Sequence, residues 1–192
     1  MRVVVGLRNP GADYENTRHN VGYEVVLRVL ADLGESLGRA PRRLRGMEAQ
    51  WGSGEERTLF FVPNSFMNES GGPVKAALDY YGIDLEDLLV AHDDIDLPFG
   101  RLRLQVNGGS GGHNGIRSLE KSLGSNQFSR LKVGVGRPPR EMDPADYVLS
   151  RFSRREASEV EAMISDAAAV VELWLTDREK AVELAARRGR DG

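Results

Sequence analysis

Arg2-Val3-Val4-Val5-Gly6-Leu7 opens the chain, which turns polar through Arg8-Asn9-Pro10-Gly11 and Thr17-Arg18-His19-Asn20. Apolar residues then recur at Val21, Val25, Leu27, Val29, Leu30 and Leu33 before Gly34. A continuous apolar run bounded by Pro and Gly is the pattern of a buried strand, and apolar residues at helical spacing form one broad helix face. Asn20 is placed to cap that helix and Gly34 to stop it. A buried strand followed by an amphipathic helix is the alternation of an α/β domain.

The alternation continues along the chain. Ala40 to Gly46 reads as a basic loop, and Glu48 to Gly52 and Thr58 to Val62 as strands around the turn Gly52-Ser53-Gly54-Glu55-Glu56. Gly72 to Tyr81 is a helix, Leu88 to His92 a strand, Arg101 to Val106 a half-exposed strand, Ile116 to Leu123 a short helix and Arg130 to Val135 another strand. From Arg154 the spacing of Val160, Met163, Ile164, Ala167, Val171 and Trp174 predicts a long amphipathic helix, and Thr176 or Asp177 starts a last one. Gly136 to Asp146 is a proline- and charge-rich connector able to move, and Arg187, Arg188 and Arg190 read as a frayed basic tail from about residue 186. The sequence carries no internal repeat and no low-complexity segment.

Composition sets the outer limits. With 192 residues, 40% of them apolar and 29% charged, the chain has material for one substantial core, which favours a single domain over 1–192. Cysteine is absent, which removes disulfides, thiolate nucleophiles and cysteine zinc sites together. A net charge of −3 argues against a protein that coats nucleic acid through a generally basic surface. Local basic clusters stand at Arg39, Arg42, Arg43 and Arg45, at Arg101 and Arg103, and at Arg130 and Lys132, and most read as solvated charge. The first apolar run is too short for a signal peptide or a membrane span, so the expectation is a cytoplasmic protein with no membrane partner.

Chemistry concentrates in the three histidines. His19 and His113 are each followed by asparagine, the second within Gly108-Gly109-Ser110-Gly111-Gly112-His113-Asn114-Gly115, and His92 opens His92-Asp93-Asp94-Ile95-Asp96. None lies in an apolar periodic segment, and loops are where catalytic groups concentrate. Histidine trades protons near neutral pH and a nearby carboxylate fixes its tautomer, so proton transfer is the first hypothesis. These polar motifs, with the one around Asn68, follow strands, and in open α/β sheets ligands bind at the strands' carboxyl ends. Gly6 to Gly11 has the glycine spacing of a phosphate loop, but Ala12 and Asp13 stand where lysine and a hydroxyl are required. The run from Gly108 places Asn114 where a dinucleotide fingerprint needs its last glycine. A metal-dependent phosphoesterase on His92, Asp93, Asp94 and Asp96 is a rival reading, since that cluster offers imidazole and hard oxygen ligands.

Val5-Gly6-Leu7-Arg8-Asn9-Pro10-Gly11 through Tyr14, Thr17-Arg18-His19-Asn20 and Gly22 resembles the opening signature of bacterial peptidyl-tRNA hydrolases. Three further blocks agree in order and spacing: Pro63 to Gly71 with Phe66-Met67-Asn68-Glu69-Ser70-Gly71, His92 to Gly100, and Gly108 to Gly115. With Tyr147-Val148-Leu149-Ser150-Arg151-Phe152 near the family's late element, the likeness covers nearly the whole chain.

The resemblance implies a single α/β domain with a twisted mixed β-sheet flanked by helices, C-terminal helices, a monomeric state and neither metal nor cofactor. It implies hydrolysis of the ester joining a peptide to the 3′ ribose of tRNA, so the partner is peptidyl-tRNA. His19 matches the family's general base and Asp93 the carboxylate that holds it. Asn68 and Asn114 match its substrate-binding amides. Asn9 matches the residue that separates peptidyl-tRNA from aminoacyl-tRNA, and Tyr14 and Phe66 match positions of tRNA or substrate contact. Arg103 and Lys132 match a basic pair that clamps a tRNA phosphate. His113 supports the site or shapes its loop and is left outside the catalytic set. Arg8, Asn64 and Ser65 depart from the family pattern and bear on fine specificity. A catalytically silent RNA-binding relative is the second rival.

Overall fold

In the computed structural model, which describes residues 1–188, the opening apolar run is the strand β1 (Arg2–Gly6). It is followed along the chain by β2 (Gly38–Arg39), β3 (Gly46–Trp51), β4 (Thr58–Pro63), β5 (Leu88–Asp94), β6 (Leu102–Val106) and β7 (Ser129–Gly134). Among the described residues these seven strands form one mixed sheet in the order β2-β3-β4-β1-β5-β7-β6. β1 runs parallel to β4 and β5, and β5 parallel to β7. The antiparallel pairs β2–β3, β3–β4 and β6–β7 finish the two edges. Continuous apolar runs belong to the central strands because both their faces are covered, whereas β6, with Leu102 and Leu104 inward and Arg103 outward, alternates as an edge strand should.

The helices are α1 (Val21–Asp32), α2 (Gly71–Tyr81), α3 (Asn114–Leu123), α4 (Pro144–Val148), α5 (Ala157–Trp174) and α6 (Arg178–Arg187). Successive strand side chains point to opposite faces, so Val4, Phe60 and Leu89 pack with α1, α5 and α6, while Val3, Val5, Phe61 and Val90 pack with α2 and α3. The result is one sheet between two helical layers. α1 crosses β5 very closely: a Cβ on Gly22 would lie 2.1 Å from the Ala91 carbonyl oxygen, so only glycine lets the first turn of α1 reach this strand. That approach sets the preceding residues, His19 among them, over the end of β5.

Three local expectations change and a fourth gains a detail. The side chain of Asn20 does not cap α1 but exchanges hydrogen bonds with the backbone of Asn9. The basic loop of residues 40–46 is anchored by Ala40 and Leu44, which are buried because apolar side chains beneath a loop have a core to join. The mobile connector is interrupted by α4, started by Asp143 capping Ala145 and pinned by the Tyr147 hydroxyl donating to Val135 O at 2.7 Å. Finally, Arg187 ends α6 and Arg188 pairs with Glu159 at 2.7 Å and Asp166 at 2.8 Å, so the supposed fray at 186–188 is ordered by ion pairs; Arg190 lies outside the described residues.

Candidate active site

His19 sits in the short turn Arg18–Asn20 between β1 and α1, and Asp93 is the penultimate residue of β5. Both are buried, and His19 Nδ1 lies 2.9 Å from Asp93 Oδ1 and 3.0 Å from Oδ2 across 74 positions of chain. His113 Nε2 reaches the same Oδ1 at 2.8 Å. Burial alone raises a carboxyl pKa; here the two imidazoles and their hydrogen bonds outweigh it and hold Asp93 far below the usual carboxylate range. For His19, burial pulls the imidazole down, but the Asp93 charge and hydrogen bond more than reverse this and leave it above the ordinary histidine value.

The hydrogen bonds fix the tautomers. An ionised carboxylate only accepts, so His19 must present Nδ1–H to Asp93, which leaves Nε2 as the basic nitrogen. Nε2 has no hydrogen-bond partner among the described residues, and His19 lines a cavity of about 350 Å³. His113 Nδ1 accepts from the backbone N–H groups of Gly115 at 3.1 Å and Ile116 at 3.2 Å, which caps α3 and assigns the proton to Nε2 facing Asp93. His92 donates Nδ1–H to the Asp93 carbonyl at 2.7 Å, while its Nε2 is buried without a partner among the described residues. Burial, together with neighbouring His113, drives His92 down to about 3, so it is neutral at physiological pH.

The cavity is lined on one side by His19, Asp93 and the loop from Ser110 to Asn114, and on the other by Asp143, Pro144, Ala145 and Val148 around α4. Arg18 joins these walls. Its Nη2 donates to both carboxylate oxygens of Glu156 at 3.0 Å, its Nη1 donates to the Arg151 carbonyl at 2.5 Å, and its guanidinium stacks over Tyr147, 4.5 Å from the ring centroid. Arg130, from one of the basic clusters read mostly as solvated charge, is fully buried in β7 because it has partners there. It pairs with Glu120 at 2.9 Å and donates to the carbonyls of Gly108 and Gly109, which ties down the glycine-rich loop.

Of the residues singled out by sequence, Asn114 lines the cavity as the first residue of α3. Asn9 is buried and is not part of the cavity lining: Asn20 Oδ1 accepts from Asn9 N at 2.8 Å, Asn20 Nδ2 donates to Asn9 O at 2.9 Å, and Asn9 Oδ1 accepts from Met67 N at 2.7 Å. With its oxygen held by Met67, the Asn9 side chain is left with its amide N–H₂ to offer, a group that donates and does not accept. Asn68 is exposed in the turn Met67–Glu69, outside the cavity lining. Tyr14 and the exposed Phe66 meet edge to face with centroids 6.3 Å apart. Arg103 and Lys132 are register partners on β6 and β7, with Arg103 exposed and Lys132 paired to Asp94 at 3.1 Å.

The rival metal cluster does not assemble. His92 faces a backbone carbonyl, Asp93 the two imidazoles, Asp94 Lys132, and Asp96 Arg137, because alternate residues leaving a strand diverge. His19, Asp93 and His113 do bring one ligand atom each within 4.8 Å of one another, but hydrogen bonds among them and the α3 cap already satisfy these groups. Sequence reasoning missed the coupling of His113 to Asp93 and of Asn20 to Asn9. Only the placement of His113 directly before a helix start hinted at the first, and nothing local hinted at the second.

The family profile described as peptidyl-tRNA hydrolase matches residues 3–190. A protein of that name from Kineococcus radiotolerans is 46% identical over 175 residues, covering 88% of each chain. One from an Anaeromyxobacter species is 43% identical over 188 residues, covering 98% of this chain and 93% of its own. The crystal structure of peptidyl-tRNA hydrolase from Acinetobacter baumannii superposes with a TM-score of 0.90 at 30% identity, covering 98% of this chain and 95% of that one. With family profile, sequence identity and fold in agreement, the chain belongs to the peptidyl-tRNA hydrolase family.

Proposed function

We propose that the protein hydrolyses the ester between a peptide and the 3′ ribose of peptidyl-tRNA, with His19 as general base. One observation carries the mechanism: Asp93 engages His19 Nδ1 through both oxygens, which leaves Nε2 unpaired at the cavity. Water gives its proton to Nε2 as its oxygen attacks the ester carbonyl. The tetrahedral intermediate then expels the ribose 3′ oxygen, which takes that proton back. Asp93 stabilises the imidazolium formed between the two steps. General base catalysis of this kind typically contributes about 10² to 10⁴ in rate, and orientation and oxyanion stabilisation supply the rest.

Asn114 at the cavity and Asn68 on the neighbouring turn are the amides for the peptide carbonyl, the attacking water or the oxyanion. Asn9 supplies selectivity: a donor-only N–H₂ group accepts nothing from an α-ammonium, and desolvating that cation beside it is costly, whereas the carbonyl of an N-blocked substrate is a partner. Tyr14 and Phe66 offer aromatic faces to the terminal base. Arg103, with Lys132 once a phosphate competes with Asp94, contacts the tRNA backbone. The reading includes a monomer acting in the cytoplasm with no membrane association; among the described residues no helix is long and apolar enough to cross a membrane.

The test compares N-acetylated aminoacyl-tRNA with its unblocked form, with and without chelator, for wild type and His19→Ala. Cleavage of the blocked substrate, little of the free-amine one, indifference to chelator and loss of turnover in the variant are expected. Full turnover by His19→Ala would refute the base.

A further inference from the structure

Arg18 stands directly before His19, and its side chain is only 8% exposed. A guanidinium so deeply placed is costly unless its donors and its charge are met. Among the described residues every hydrogen bond of that side chain ends on Ser150, Arg151 or Glu156, and Glu156 answers the charge. The rings of Tyr147 and Phe152 lie 4.5 and 4.9 Å from the guanidinium carbon. One side chain is thus wrapped by a single segment, residues 147–156, that starts within α4.

α4 needs such an anchor. It has five residues, far fewer than an isolated helix requires, so its place depends on what it is tied to. The Tyr147 hydroxyl holds it to Val135 O. The second tie runs to the turn that carries the base: Ser150 N and Oγ donate to Tyr147 O at 3.0 and 2.6 Å, Arg18 N donates to Ser150 O at 3.0 Å, and the Arg18 side chain closes over Tyr147. Arginine fits this post because its two Nη groups reach separate acceptors while its plane lies against the rings; lysine has neither fork nor plane.

Pro144, Ala145 and Val148 of α4, with Ile95, give the cavity an apolar surface. An ester attacked at His19 Nε2 places the adjoining amino-acid side chain in that same cavity. We propose that Arg18 is a positioning residue for substrate selection: it holds the α4 wall where that wall packs against the side chain of the amino acid esterified to tRNA. This deepens the hydrolase reading given above and rests on it.

The experiment uses R18K, which keeps the charge and loses the fork, and E156Q, which keeps an oxygen acceptor and loses the charge. Glu156 is not part of the cavity lining, so its effect on the wall travels through Arg18. Hydrolysis of N-acetylphenylalanyl-tRNA is compared with that of N-acetylglycyl-tRNA, whose acyl group has no side chain to meet the wall. The ratio of kcat/KM, phenylalanyl over glycyl, should fall about threefold or more in R18K and by a smaller factor in E156Q, through a higher KM for the phenylalanyl substrate. Loss of folded enzyme cancels in this ratio, and E156Q decides alone if R18K does not fold. Amide hydrogen exchange, read without substrate, should quicken in α4 relative to α5 in both variants. An unchanged ratio, which includes an equal fall on both substrates, overturns the proposal. If the wild type cleaved neither substrate, the hydrolase reading would fall, while unaltered α4 exchange in the variants would separately overturn the tie.

Discussion

His113 Nε2 stands 2.8 Å from Asp93 Oδ1, the oxygen that His19 Nδ1 approaches at 2.9 Å, so one buried carboxylate is shared by two imidazoles. His113 is fixed in turn by the two backbone N–H groups it caps. The first turn of α3 therefore orients the carboxylate that orients the base, and local stability and proton affinity at His19 are linked through one side chain.

Asp93→Asn tests that link. The wild-type imidazole is held above the ordinary histidine value, and the base acts only when neutral, so activity should rise with pH through a limb above about 6.5. Without the carboxylate, burial dominates and the limb should move below that value. Turnover on the plateau should fall by about 10² to 10⁴, because the amide carries no charge to stabilise the imidazolium and its N–H₂ group favours the wrong imidazole tautomer. A pH–rate profile whose limb does not move would contradict the coupling.

Two substitutions separate the roles of His113. Asparagine still caps a helix but cannot reach Asp93, so His113→Asn should keep the melting temperature within about a degree or two while kcat falls roughly tenfold or more. His113→Ala loses both, and an added cost of about 1 kcal/mol in urea unfolding is expected.

His92 makes the fold sensitive to acid. Its folded-state value is about 3 against about 6.5 unfolded, so between these values the unfolded chain binds the extra proton and stability falls on acidification, on the order of 1 kcal/mol per pH unit. His19 has the opposite sign, with stability present below about 6.5 and lost as pH rises through its folded value, so it does not offset this window. Thermal denaturation between pH 6.5 and 4.5 should show a steeper loss for wild type than for His92→Gln. Parallel curves would mean that His92 titrates normally.

Gly22→Ala should be severe for a surface-sized change. The new Cβ meets the Ala91 carbonyl, which is backbone and cannot rotate away, so α1 must shift at a cost of about 1 to 3 kcal/mol. The shift carries His19 off Asp93, so kcat should fall more than KM rises. A variant with native activity would show that α1 does not set the His19 position.

Asn20→Ala removes both hydrogen bonds to the Asn9 backbone rather than a helix cap. Stability should fall by about 1 to 2 kcal/mol, and the preference for N-blocked over free-amine substrate should narrow, since the Asn9 backbone is no longer held. Circular dichroism should show α1 intact.

The linear sequence determined the elements and their order, because the continuous apolar runs, the helical spacing of Val21 to Leu33 and of Val160 to Trp174, and the turns at glycine are local properties of the chain. It also supplied His19 and Asp93 as a pair through motif likeness. Tertiary structure alone decided which of three histidines shares the carboxylate, that Asn20 serves Asn9 instead of α1, that Arg130 is buried while Arg43 is exposed, and that Asp94 neutralises Lys132. Periodicity reports which face a residue occupies, but a hydrogen-bond or ion partner is chosen by strand register and by the close crossing of α1 over β5. Those depend on groups dozens of residues apart, and no local pattern encodes them.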